Sequence, residues 1–239
     1  MKNFRELFFA VTHPSAVLDY IWRSKKIAKL LNCDELEVKN VLREKDLLDI
    51  EKFVLHELGE YRELILGPST KPHKPQIYYA IVRLVKPDIV VEAGVQAGIS
   101  SAYILKALAK NNQGILYSID LPDENILMRI RRESRHDMDS GWVIPEELKN
   151  RWRLIIGRSR DKLPSLLKML GSIDIFVHDS EHSYENMMFE YITAWNHLKE
   201  GGILLSDDTN LNRAFSDFSA KVGSKFIRLL GPVSGIRKC

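Results

Sequence analysis

From Pro75 onward the chain alternates short β-branched runs with helical stretches, and few folds accommodate such a pattern. The runs "DIVVEA", "ILYSID", "RWRLIIG", "IDIFVHD" and "GILLSDD" have the composition of strands closed off from water. Between them lie helical stretches: "PQIYYAIVRLVK" with Pro at its first turn, "ISSAYILKALAKNNQG" stopped by Gly114, "LPSLLKMLG", and a long one from Ser183 to Leu198. A further helix, "LNRAFSDFSAKV", precedes two short apolar pieces, "KFIRLL" and "SGIRK", around Gly231-Pro232. Each crossover helix must lie on a sheet face, so the alternation predicts a parallel sheet wrapped on both sides with right-handed connections. The closing pair predicts an antiparallel hairpin at the sheet edge. The expected class is therefore α/β, a doubly wound, mostly parallel seven-stranded sheet with an antiparallel C-terminal hairpin.

The chain up to about Leu66 has a different texture. Leu30, Leu31, Leu36, Val38, Val41, Leu42, Leu47, Leu48, Phe53, Val54, Leu55 and Leu58 recur at three- and four-residue steps, with no Gly before Gly59. Helices are expected there, and the Pro-rich "LGPSTKPHKP" marks a boundary: a helical extension over 1–70 and the main domain over 71–239. The extension could cover the active site or form a homodimer contact. Its basic run at Arg23, Lys25, Lys26 and Lys29 allows a partner, although a solvated face is the more common explanation.

Composition narrows the function. With 239 residues, 45% of them hydrophobic and 28% charged, the chain can bury a full core. Its 35 basic and 32 acidic residues leave a net charge of +3, which argues for neither nucleic acid nor a membrane surface. Cys33 and Cys239 supply neither a disulfide framework nor a zinc cluster, which suits a reducing cytoplasm. Arg5, Glu6, His13 and Pro14 interrupt the apolar N-terminus short of a signal-peptide core or a membrane span.

The stretch "DIVVEAGVQAG" runs a buried strand into Glu92 and then into a turn bared by Gly94 and Gly98. In open parallel sheets ligands bind outside the carboxyl ends of the strands, and this turn follows the first of them. It is neither G-x-G-x-x-G nor a phosphate-cradling G-K-[ST] loop, so it does not call for a pyrophosphate. A ligand with a cationic amino-acid end and a nucleoside end suits it better, Glu92 meeting the positive charge. Asp120, at the end of the second strand, lies at the right distance to accept hydrogen bonds from ribose hydroxyls. Tight packing of the turn, and a helix N-cap at Asp120, are the structural alternatives.

Taken in order, "VEAGVQAGIS", "YSID", "IIGRSRDKLP", "FVHDSEHSYENM" and "LKEGGILLSDDT" resemble the class I S-adenosylmethionine-dependent methyltransferases. Within that class they are similar to the catechol O-methyltransferase-like and metal-binding sugar and antibiotic O-methyltransferases. The resemblance covers about Pro75 to the C-terminus and implies a Rossmann-like sheet. It also implies that Glu92, Gly94, Gly98 and Ser100 line the methionine end of S-adenosylmethionine, that Asp120 holds the ribose, and that Ser159 and Arg160 border the adenine. Gln96 stands where the family commonly has a middle glycine.

Two further strands end in acids, "IFVHDSEHSYE" and "ILLSDDTN". If these strands are neighbours, their ends lie roughly 4.8 Å apart and Asp179, Asp207 and Asp208 crowd one site. Crowded carboxylates repel unless a proton or a cation intervenes, and an all-oxygen set suits Mg²⁺, Mn²⁺ or Ca²⁺. Capping of the following helices is the alternative. In the metal-dependent relatives the set is Asp, Asp, Asn, so Asp208 departs from it, while antibiotic-pathway relatives also pair acids there. His182 falls where catechol-type enzymes place a lysine base, and an imidazole suits removal of a hydroxyl proton. Methyl transfer to the hydroxyl of a small molecule or sugar is the expected reaction, with Asp179 and His182 as its catalytic pair. A nicotinamide-dependent oxidoreductase and a non-catalytic S-adenosylmethionine-binding protein are the rivals. The long basic stretch with Arg129, Arg131, Arg132, Arg135 and Trp142 is expected to wall or cover the acceptor, or else to be a solvated helix.

Overall fold

A computed structural model describes residues 14–66, 73–121 and 139–239. Five parallel strands, β1 (Ile89–Ala93), β2 (Ile115–Asp120), β3 (Trp152–Ile156), β4 (Ile173–His178) and β5 (Leu198–Ser206), are followed by β6 (Ile227–Leu230) and β7 (Val233–Arg237). The order across the sheet is β3-β2-β1-β4-β5-β7-β6, with β7 antiparallel to both neighbours. The hairpin thus closes one edge as expected. Strands β1 and β4 are neighbours, as are β4 and β5, which brings the ends of all three together.

The strands alternate between two apolar clusters, one on each face. Val90, Ile175, Val177, Ile203 and Leu205 belong to one, while Val91, Phe176 and Leu204 belong to the other, all essentially inaccessible to water. Burial on both sides explains why the strands are continuous apolar runs in sequence, each such side chain contributing about 1.5–3 kcal/mol by leaving water.

The second cluster is closed by α7 (Ser159–Leu170), α8 (Tyr184–His197) and α9 (Ala214–Lys221). The first is closed by α5 (Pro75–Val85) and α6 (Ile99–Asn111) together with the early helices α1 (Pro14–Leu31), α2 (Glu35–Val41) and α3 (Lys45–Leu58). Ile27, Leu30, Val38, Leu47 and Val54 share one core with Ile77, Tyr78 and Leu105, so the helices before the connector are built onto the sheet. Gly235 in β7 makes room for α1, since a Cβ there would meet Leu30 Cδ2 at 2.8 Å. Polar ties add to this: Arg83 grips Glu44 through Nε at 2.9 Å and Nη2 at 2.7 Å, and Asp46 pairs with Lys106 and Lys110. A short helix α4 (Arg62–Leu66) ends the described part of this region.

Several element ends differ from the sequence expectation. Helix α6 stops at Asn112, which takes the left-handed conformation two residues before Gly114, the expected stop. Helix α7 begins at Ser159, before Pro164, which places Ser159 and Arg160 in its first turn. Helix α9 begins at Ala214, where Asn212 Oδ1 accepts from the Ala214 amide at 2.8 Å. The arginines of the expected lid lie outside the described residues. Trp142 is half-buried against the first cluster, beside the fully buried Val143 and Ile144. No helix among the described residues is long and apolar enough to cross a membrane.

Candidate active site

The turn after β1 is bared chiefly for the chain itself. Gly94 has φ +93°, and a Cβ on it would lie 1.9 Å from the Asp179 carbonyl oxygen, where the turn after β4 passes. Gly98 has φ +89°, and a Cβ on it would lie 2.6 Å from Gly141 Cα and 2.9 Å from Ile144 Cγ1. Gln96 takes φ +52° between them, and its carbonyl accepts from the Gly141 amide at 2.8 Å. The sequence singles out these glycines correctly as points of close approach; neighbouring backbone is what approaches.

Glu92 lies beneath the turn, fully buried. It accepts from Ser100 Oγ and Ser101 Oγ at 2.6 Å each and from Ser118 Oγ at 2.8 Å. Burial pushes its carboxyl above the ordinary value, and the three hydroxyls pull against that shift. Its charge is thus met from within the chain. Asp120, at the end of β2, accepts from the Val95 amide at 3.0 Å and from Ser140 Oγ at 2.5 Å, which fixes the turn against β2. Each carboxylate oxygen accepts more than one hydrogen bond, so capacity toward a ligand remains.

The acids at β4 and β5 do come together. His182 Nε2 stands 3.9 Å from Asp179 Oδ1 and 3.8 Å from Asp208 Oδ2. Lys74, from the connector ahead of α5, donates to Asp207 Oδ1 at 3.1 Å and Oδ2 at 2.9 Å, and its Nζ lies 4.0 Å from Asp208 Oδ1. The Asp179 carboxyl is pushed well above its ordinary value by loss of water and by the Asp207 charge, with Lys74 opposing. His182 is held below its ordinary value of 6.5, first by burial and then by His178, against the pull of Asp208 and Asp207. It is therefore a neutral base near neutral pH.

As arranged, this cluster does not fit a divalent ion. Both oxygens of Asp207 are taken by an ammonium, and among the described residues no three His, Cys, Asp or Glu are disposed to hold a metal. Behind the cluster, His178 is fully buried with Nδ1 2.6 Å from Glu190 Oε2, and its ring meets His182 edge to face at 5.2 Å. Ser180 Oγ and Asn186 Nδ2 also donate to Glu190, at 2.7 and 3.0 Å. His178 is thus a supporting residue for the His182 ring.

A cavity of about 1070 Å³ opens at the carboxyl ends of β1, β2, β4 and β5. Of the residues singled out in sequence, Gly94, Ser100, Asp120, Ser159, Arg160, Asp179, His182 and Asp207 line it. Glu92, Gly98 and Asp208 do not: Glu92 sits behind the turn, Gly98 ends the turn against Gly141 and Ile144, and Asp208 lies beside Lys74 and His182. Ser159 Oγ is 3.5 Å from Asn186 Oδ1, and the Arg160 guanidinium stacks over Phe189 at 5.2 Å. Lys74 and Tyr78, one helical turn apart, also line the cavity and carry no sequence motif. The Tyr78 hydroxyl is buried without a hydrogen-bond partner, as are His178 Nε2 and His182 Nε2.

Residues 91–209 match the family model of a methyltransferase domain. No curated protein matches the sequence. Among solved structures, the fold is similar to an O-methyltransferase from Bacillus cereus in complex with S-adenosylhomocysteine, at TM-score 0.56 and 14% identity, over 84% of this chain and 95% of that one. It is also similar to the O-methyltransferase NovP, at TM-score 0.57 and 16% identity over 81% and 99%. The methyltransferase PaMTH1 of Podospora anserina, bound to S-adenosylhomocysteine, aligns at TM-score 0.53 and 15% identity over 82% and 88%. With its strand order, its carboxyl-end cavity and this match, the chain carries a methyltransferase domain, and its fold resembles that of the O-methyltransferases named above.

Proposed function

We propose that this methyltransferase transfers its methyl group to a hydroxyl oxygen of a small molecule or sugar, with His182 as general base. The observation that carries the proposal is that the cofactor-side residues and His182 line one cavity, with no hydrogen bond on His182 Nε2. Asp120, Asp179, Glu181, Glu185 and Asp207 outnumber Lys74, Arg158 and Arg160 on the cavity wall, which favours a sulfonium cofactor and disfavours a dinucleotide pyrophosphate. The resemblance to structures that hold S-adenosylhomocysteine supports the same choice.

Bound S-adenosylmethionine supplies an electrophilic methyl whose bonding electrons return to sulfur as an attacking oxygen takes the carbon. The chain's own work is alignment and proton removal. Gly94, Ser100 and Asp120 hold the amino-acid and ribose parts; Ser159 and Arg160 bound the adenine end. Glu92 acts from behind, orienting Ser100 through its carboxylate. His182 Nε2 takes the proton of the acceptor hydroxyl, and Asp208, 3.8 Å away, stabilises the imidazolium that results, with Asp179 beside it at 3.9 Å.

The test is transfer of a radiolabelled methyl from S-adenosylmethionine to a panel of catechol and sugar hydroxyls, by wild type and His182→Ala. Label on an acceptor oxygen that is lost in the variant is the expected result. Transfer to nitrogen or carbon acceptors alone, or transfer unchanged in His182→Ala, would contradict the proposal.

A further inference from the structure

Resting on that reading of the cavity, we propose that Lys74 is the resident cation of the acceptor site. It stands where a divalent ion would otherwise sit among Asp179, Asp207 and Asp208, so that methyl transfer proceeds without a metal.

Three observations carry this. Lys74 Nζ binds Asp207 through both carboxylate oxygens, at 3.1 and 2.9 Å, and reaches Asp208 at 4.0 Å, so its charge is spent on the acids that would ligate an ion. Lys74 also lines the cavity, and an ammonium carries three protons, one more than the two Asp207 oxygens accept. One turn further along α5, the Tyr78 hydroxyl is buried without a partner and lines the same cavity. A buried hydroxyl without a partner is unfavourable, and a ligand oxygen that accepts from it relieves that cost. Lys74 and Tyr78 thus each bring a donor to the wall of the cavity that His182 also lines. A fixed ammonium and a divalent ion cannot share Asp207 without strong like-charge repulsion, so the lysine and the metal exclude each other.

The experiment is Mn²⁺ titration of the intact protein, followed by electron paramagnetic resonance, on wild type, Lys74→Ala and Lys74→Gln. S-adenosylhomocysteine binding is measured on the same preparations. Wild type is expected to leave Mn²⁺ free at millimolar concentration. Both variants are expected to bind it at least about tenfold more tightly, the effect of removing a like charge from a shared carboxylate site. Circular dichroism verifies folding; should neither variant fold, the wild-type titration still decides. Tight Mn²⁺ binding by wild type, or no gain in folded variants, overturns the proposal. If S-adenosylhomocysteine still binds, only the role of Lys74 fails. If it does not bind to folded wild type, the methyltransferase reading of the cavity fails, whatever the Mn²⁺ result.

Discussion

The turn after β1 and the acid cluster after β4 and β5 face each other across one cavity, and they treat their polar groups in opposite ways. In the turn the carboxylates are held from within the chain: three serine hydroxyls donate to Glu92, and the Val95 amide and Ser140 donate to Asp120. In the cluster, carboxylates crowd around the Lys74 ammonium while Tyr78, His178 and His182 each keep a buried polar atom without a hydrogen bond. A saturated region holds its shape; an unsaturated one stores cost that a bound ligand relieves. Changes in the first region should therefore register as lost stability, and changes in the second as lost activity with stability kept or gained.

The largest effect expected is on turnover. His182→Ala should lower kcat by about 10²–10⁴-fold, the range for losing a general base, with a denaturation midpoint close to wild type. Unfolding of that variant would place His182 in the saturated region and break the contrast. Next, Glu92→Ala leaves three buried hydroxyls without their shared acceptor and should cost about 3 kcal/mol or more in urea denaturation. A cost near zero would mean that water replaces the carboxylate.

Asp179→Asn probes the cluster in the other direction. A carboxyl raised above its unfolded value favours the folded state below that unfolded value and loses this contribution as pH rises through the folded one. Asparagine removes the dependence, so the variant should melt above wild type at neutral pH, and the gap should close toward about pH 4. A lower Tm at neutral pH would show that Asp179 is held by partners and is not crowded. The smallest effect is a position on the pH axis. With His182 held below its ordinary value, the acid limb of kcat should fall below pH 6.5 and should vanish in His182→Ala. A limb above 6.5 would mean that Asp208 and Asp207 outweigh burial.

The contrast also explains what could be read from sequence. Strands buried on both faces need apolar side chains at every position, so β1, β4 and β5 are plain as runs, and the alternation dictates the sheet. Gly94 and Gly98 stand out for the same reason that they are needed, close approach, yet the sequence does not say whether a ligand or the chain approaches. Helix ends depend on single left-handed residues, and Asn112 takes that role two positions before the more conspicuous Gly114. Asp179, His182 and Asp207 are legible because neighbouring strands deliver them. Lys74 is not legible: it lies in a proline-rich connector, 133 positions from Asp207, and only packing of the early helices and α5 onto the sheet sets it there.

The central claim is that this cavity holds S-adenosylmethionine, and calorimetric titration of the wild-type protein with S-adenosylhomocysteine, with NADH as the control ligand and with and without Mg²⁺, tests it most directly. The account predicts saturable binding of S-adenosylhomocysteine, unchanged by Mg²⁺, and none of NADH. Folded protein that binds NADH instead, or binds neither nucleoside, would contradict it.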